Sequence, residues 1–463
     1  MRRFSTSVVA GVVAGLLTAS SYASAQTSQV LGRDWEDVVS APGVKVGEGT
    51  VLHPVAGAET GIISNMFYED SGGRTAGIFR VVGEVAIATV PPERRDSGLR
   101  PDWNPWQGSA YRTYDGPFFR DDTGDGDGLN EGAPPKLEFR AGMRAFYEEF
   151  ISGDTQVRDQ RNIGLNGNAH AHFNPYGTVP VTVDYDLTRA IRPTNFESSE
   201  DLDRWISHFR LGVRFQTGGR AIVPEFRYTN RIDYFESSDS RFANRIQHNF
   251  GAKLNWWLAR FTQFYADASL GIFSGLGDNS LNGMTFKQSS VPLRLRIGTN
   301  TALTEKISTH GYIGFGKGFY SAGQDFTNIL FNAGLSYRLN PFGRLRVGYT
   351  YDFADSINAN FYSEHRLQAA ISQQIRRLVV TGKAGLHFRK YFGIPMAVGA
   401  PDRSDFIFSA SGVGKYLLRD WIAITGSLQF VTDQTDYVST IDGSNDDPSF
   451  SRFELLGGVA AAF

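Results

Sequence analysis

Strict two-residue alternation recurs along this chain, while no stretch of it is apolar enough to form a separate core. Val291, Leu293, Leu295 and Ile297 share one face of a run whose other face carries Arg294, Arg296 and Asn300. Leu345, Val347, Tyr349, Tyr351 and Phe353 oppose Arg344, Arg346, Thr350 and Asp352 in the same way. Val179, Val181, Val183, Tyr185 and Leu187 oppose Thr182, Asp184, Asp186 and Thr188, and Val380, Ala384, Leu386 and Phe388 oppose Thr381, Lys383, His387 and Arg389. A period of two belongs to β-strands. After Gln26 nothing approaches the ~20 apolar residues of a membrane helix. Phe (35), Tyr (19) and Gly (51) are heavily used, as suits strands that show lipid on one face and water on the other. The economical solution is an all-β fold, one transmembrane antiparallel β-barrel, because a closed sheet leaves no unpaired edge in hydrocarbon.

The start of the chain reads as an export signal. Arg2 and Arg3 give a basic opening, residues 8–17 an apolar stretch, and Ala23-Ser24-Ala25 a small-residue cleavage site before Gln26. Residues 1–25 are therefore expected to be a cleaved signal peptide, 26–50 a periplasmic lead, and 51–463 the barrel. The absence of cysteine removes a lipoprotein anchor, a disulfide scaffold and thiol chemistry. A net charge of −2 argues against nucleic acid as a partner.

Strand-like segments recur roughly every 20–25 residues, separated alternately by tight turns and longer polar loops. Asn174-Pro175-Tyr176-Gly177, Gln216-Thr217-Gly218-Gly219, Asn340-Pro341-Phe342-Gly343 and Arg376-Arg377 are tight; 192–203, 236–244, 274–289 and 432–449 are long. The pattern predicts about 18 strands, within a range of roughly 16–20. An even count puts both termini on the periplasmic side. Residues 91–135 are the exception, a long polar segment where parity calls for a short turn; a plug or a calcium-binding loop would account for it.

The last strand alternates Phe453, Leu455, Gly457, Val459, Ala461 and Phe463 against Arg452, Glu454, Leu456, Gly458 and Ala460. Ending on a terminal aromatic, it resembles the assembly signal of bacterial outer-membrane β-barrels. The segment from Val46 through His53 and Pro54, followed by Asn65-Met66-Phe67-Tyr68, resembles the opening of porin-type barrels of that membrane. The resemblance implies a channel architecture in a Gram-negative outer membrane, with outer-membrane lipid and the barrel-assembly machinery as partners and Phe463 as the residue read at insertion.

Strand phasing turns Arg140, Arg144, Arg210, Arg214, Arg227, Arg294, Arg296, Arg344, Arg346 and Lys383 inward, with Asp184, Glu225 and Asp352 among them. Rings of fixed cations favour anions; lateral pairing of arginine with carboxylate across strands stiffens the wall instead. Asp121, Asp125, Asp127 and Glu131 lie in an Asp–Gly run resembling extracellular calcium repeats, since acidic oxygens on Gly-permitted turns suit a hard divalent ion. It departs from EF-hand spacing at Thr123 and Gly132. Ca2+ is thus the one cofactor that the sequence suggests. His170 and His172 share a strand face without a third ligand nearby. There is no Gly-x-Ser-x-Gly or His-Glu-x-x-His motif, and His248 and His365 have no assignable serine or acid partner, so no catalytic residue is assigned.

Passive diffusion of small hydrophilic solutes, with an anion preference, is the leading expectation. Export of a secreted polysaccharide is the alternative, suited by acidic loop residues such as Glu197, Glu200, Asp442 and Asp447. A structural or adhesive barrel without transport is the third. If Asp125 and Asp127 bind calcium, the ion should protect residues 91–135 from proteolysis and Asp125→Ala should abolish the protection; equal cleavage with calcium and with chelator would return the segment to a plain linker.

Overall fold

The computed structural model describes residues 39, 43–47, 49–70, 72–89, 136–175, 177–191, 203–216, 222–237, 240–259, 262–277, 280–281, 284–285, 289–321, 323–340, 342–356, 359–393, 403–437, 439–441, 444–446 and 449–463. The signal segment and the Asp–Gly run with Asp121, Asp125, Asp127 and Glu131 lie outside them.

Alternating segments form the strands. The first group is β1 (Val44–Gly47), β2 (Thr50–Ile63), β3 (Ala76–Ala88), β4 (Leu137–Ile151), β5 (Asn162–Phe173), β6 (Val181–Ala190), β7 (Arg204–Arg214) and β8 (Ile222–Phe235). Next come β9 (Arg245–Ala259), β10 (Thr262–Gly275), the short pair β11 (Ser280–Leu281) and β12 (Met284–Thr285), β13 (Ser290–Ala302), β14 (Ile307–Tyr320) and β15 (Phe326–Asn340). The last are β16 (Gly343–Asp355), β17 (Phe361–Ile375), β18 (Leu378–Phe392), β19 (Ser404–Arg419), β20 (Ile422–Thr435), the short pair β21 (Ser439–Ile441) and β22 (Ser444–Asp446), and β23 (Phe450–Ala462).

Leaving aside β1 and the two short pairs, 18 strands form one closed antiparallel barrel. Closure is made by β23 on β2, in register from Val55↔Ala462 to Ile63↔Glu454. β1 pairs only with β2. It continues the line of β23 beyond Phe463, whose N–H donates to the Pro54 carbonyl at 3.0 Å.

The even count brings Thr50 and Ala462 to one end, the terminal end. Tight links close that end at 376–377 and 420–421. Longer connections gather at the opposite, loop end. They include the one carrying α1 (Thr155–Arg158) and those carrying β11–β12 and β21–β22. The β3–β4 connection joins Ala88 to Leu137 at the terminal end, the side that parity predicts.

Along β3, Phe79, Val81 and Val85 are exposed while Arg80 and Glu84 are buried. The same inversion runs round the barrel: Met143, Phe226, Leu295, Ile313, Leu367 and Leu455 face out. Apolar outside and charged inside is the arrangement of a membrane-spanning barrel, since lipid covers the outer face and the inner one keeps its water. Among the described residues no helix is long and apolar enough to cross a membrane. Trp256, Tyr416 and Trp421 stand exposed near strand ends, where amphipathic rings suit a membrane interface. Trp257 instead shares the phase of buried Lys253 and Asn255 and faces inward.

Alternation breaks at the loop ends of β16 and β17, where Phe353 and Phe361 are both buried against the outward phase. Phasing puts Phe353 outward beside Tyr351, yet its ring is 3 % exposed and packs with Phe326 and Phe361. The cause is in the backbone. β16 pairs with β15 only as far as Phe331↔Tyr351, although it follows β17 through Asp355↔Phe361. Its last residues leave β15 and turn inward.

Because every lipid-facing strand is paired on both sides over most of its length, the barrel should resist detergent at room temperature. An unboiled sample should run faster on a denaturing gel than a boiled one; identical mobility of the two would contradict the closed sheet.

Candidate functional site

All 13 residues that phasing assigns to the lumen sit on inward strand positions. Arg140 and Arg144 share the β4 phase of buried Glu138 and Glu148, and Arg210 and Arg214 share the β7 phase of buried His208. Glu225 and Arg227 share the β8 phase of Arg231 and Asp233. Arg294 and Arg296 are buried on β13. Arg344, Arg346 and Asp352 alternate with exposed Val347 on β16, and Lys383 lies in phase with His387 and Arg389 on β18.

Toward the loop end, cations and carboxylates are interleaved. Arg80 is the most connected. Its Nε donates to Glu148 at 2.7 Å and its Nη1 to Glu59 at 2.9 Å, with Glu454 at 3.6 Å. These partners come from β4, β2 and β23, so one guanidinium ties the closing seam to the strands beside it. Arg80 was absent from the sequence-derived set, though its alternation with Phe79 and Val81 was there to be read. Asp233 accepts from Arg231 and Arg245 at 2.9 and 2.6 Å. Glu364 accepts from Arg389 at 2.8 Å and is 3.0 Å from His387. Arg403 grips Asp405 at 2.7 Å.

A second series runs sideways across the wall. Arg214 meets Glu225 at 3.3 Å, Glu225 lies 3.7 Å from Arg227, and Arg227 pairs with Asp267. Asp267 is 3.6 Å from Arg296, which shares Asp352 with Arg294 at 3.4 and 3.2 Å. Arg210 pairs with Asp186 at 2.7 Å, and His170 with Asp184. Lateral pairing is therefore extensive, and it accounts for many of the lumen arginines.

The terminal half of β14–β20 is different. Inward positions there carry Arg338, Arg344, Arg346, Lys383 and Lys415 among Ser308, Asn332, Ser336, Gln368, Ser372, Thr381, Ser411 and Thr425. Among the described residues, no carboxylate occupies an inward position on this part of the wall. Across the lumen Glu84, Glu138 and Glu225 stand among Arg140, Arg144, Arg214 and Arg227. The two sides thus differ in charge, a contrast that only the strand order makes visible.

At the loop end of β6, Arg189 donates through two nitrogens at 2.6 and 2.7 Å to Glu236, just beyond β8, and holds that carboxyl below its usual range. His248 and His365 face outward, each with a tyrosine hydroxyl on Nδ1: Tyr228 at 2.9 Å and Tyr349 at 2.7 Å. Neither hydrogen bond brings a serine nucleophile. His170 and His172 are both inward on β5, and no group of three or more metal-ligating side chains forms among the described residues.

No family model matches the chain, and no characterised protein matches it significantly in sequence. Among solved structures it is similar to Pseudomonas aeruginosa OpdQ, with 11 % identity, TM-score 0.42, and 90 % of this chain and 98 % of that one covered. It is also similar to Pseudomonas aeruginosa OpdK with vanillate, at 7 % identity, TM-score 0.42, and 89 % and 99 % covered. The FrpB iron transporter from Neisseria meningitidis gives 8 % identity and TM-score 0.43 over 93 % and 83 %. Strand number and closure rest on the chain's own pairings.

Arg80 offers the sharpest test of the paired layer. Arg80→Met leaves Glu59, Glu148 and Glu454 buried together without their shared cation, which should cost about 3–5 kcal/mol. Urea unfolding of the reconstituted barrel would register it, and an unmoved midpoint would remove Arg80 as the tie across the seam.

Proposed function

We propose that the chain is an outer-membrane channel for passive diffusion of small hydrophilic solutes, with a preference for anions. The observation that carries this reading is the basic wall of β14–β20. Arg338, Arg344, Arg346, Lys383 and Lys415 line one side of a closed barrel whose inner face is polar and whose outer face is apolar. Cations set along a low-dielectric wall attract anions and raise their rate of entry. The hydroxyl and amide groups between those cations give a passing solute hydrogen-bond partners in place of its water. The ion-paired layer nearer the loop end contributes rigidity more than field, because its charges largely cancel.

The remaining features fit this assignment. The outward apolar face suits outer-membrane lipid. Phe463, joined through its N–H to Pro54, ends the strand that the assembly machinery would read. No nucleotide, metal or catalytic group is needed for diffusion down a gradient.

In a planar bilayer under a salt gradient, the wild-type reversal potential should indicate anion selectivity. It should be stronger at low salt, where the screening length reaches ~30 Å at 0.01 M. Arg344→Ala with Arg346→Ala should weaken or reverse that selectivity while the barrel keeps its heat-dependent gel mobility. Equal anion and cation permeability in the wild type would defeat the anion preference, and no conductance in any variant would defeat the channel itself.

A further inference from the structure

The inturned end of β16 is a built feature. Its departure from β15 frees backbone groups that a continuous ladder would pair, and side chains take them over. The Phe353 N–H donates to Asp352 Oδ1 at 2.8 Å, and the Phe353 carbonyl accepts from Arg294 Nη2 at 2.6 Å. On β15 the Ile329 N–H donates to Asn328 Oδ1 at 2.8 Å. Freed backbone groups in a sheet are costly unless satisfied in this way.

What the turn achieves is to carry Phe353 into the lumen. Its ring stacks on Phe326 of β15 with centroids 4.0 Å apart, and Phe326 meets Phe361 of β17 edge-on at 5.6 Å. Beyond Phe326 the ring reaches β14, whose inward positions there are Gly316 and Gly318. A Cβ on Gly316 would lie 2.9 Å from the Phe353 ring, and one on Gly318 would lie 3.0 Å from it. Arg294 lies 4.1 Å over the same ring while bonding Asp352 at 3.2 Å. A buried aromatic cluster on the inner face of a wet barrel thickens the wall by about one ring, roughly 3.5–4 Å. The inward glycines of β14 give it a floor.

We propose that this inturned strand end, with Phe353 as its wedge, is the size-limiting constriction of the channel, a filter separate from the basic wall. The inference rests on the channel reading above. The two filters occupy different heights. Phe353, Phe361 and Tyr320 lie at the loop ends of their strands, whereas Arg344 and Arg346 lie at the terminal end of β16. At the wedge, Arg294 and Arg296 are matched by Asp352 and Asp267. It therefore sorts by bulk rather than by sign.

The test uses the full-length barrel in planar bilayers, with liposome swelling in arabinose, glucose and sucrose as the measure of size exclusion. Phe353→Ala should raise single-channel conductance roughly 1.5-fold, the order expected when one atomic layer leaves one side of a narrow pore. It should admit larger sugars and leave the anion-to-cation ratio unchanged. Gly316→Val should push the ring toward the axis and lower conductance. Arg344→Ala with Arg346→Ala should do the reverse, moving the ratio and not the sugar cutoff. Phe326→Leu serves in place of Phe353→Ala if that variant loses its heat-dependent gel mobility. A conducting wild type whose cutoff and conductance are unmoved by the folded wedge variants overturns the constriction and spares the channel. A silent wild type opened by Phe353→Ala supports the wedge; silence in all of them ends the channel reading.

Discussion

Backbone pairing between β2 and β23 is the contact on which the rest of this molecule hangs. A sheet of this length with free edges would expose unpaired N–H and C=O groups to hydrocarbon, at a cost of several kcal/mol each. Closure from Val55↔Ala462 to Ile63↔Glu454 removes both edges at once. It also dictates what each side chain meets. With no interior sheet or helix among the described residues, the inward half of each strand faces the lumen and the outward half faces lipid. Arg80 sits where this matters most, joining Glu59, Glu148 and Glu454 across the seam.

The charges of the lumen have two uses that the geometry separates. Toward the loop end they form chains of alternating sign, and each buried charge there lies beside an opposite one, as low dielectric demands. Along the terminal half of β14–β20 the inward strand positions hold cations and, among the described residues, no carboxylate. The first arrangement ties neighbouring strands together; the second, on the channel reading proposed above, shapes the field that a solute meets. An arginine count taken over the whole lumen mixes the two and describes neither.

Strand alternation was legible because a period of two survives any register. Arg344 and Arg346 could be turned inward from their neighbours Leu345 and Val347 alone, and the final strand ending at Phe463 likewise. Phe353 could not. Its local pattern is that of an outward residue, and it turns inward because pairing with β15 stops at Phe331↔Tyr351. The signals for that lie on other strands, in Gly316, Gly318 and Arg294. Nothing in the chain around residue 353 points to them. The pairing of Arg227 with Asp267, or of Arg294 with Asp352, was hidden for the same reason: the partners are 40 and 58 residues apart.

By itself, then, the sequence determined the class of the fold, the approximate strand number and, along most of each strand, which side faces inward. All of these follow from local periodicity and turn chemistry, properties of a few consecutive residues. Only the tertiary structure decided which arginines meet which carboxylates across the wall, and that Phe353 turns inward. Those depend on which strands become neighbours, and a sheet's register is set by closure of the whole ring rather than by any segment of it.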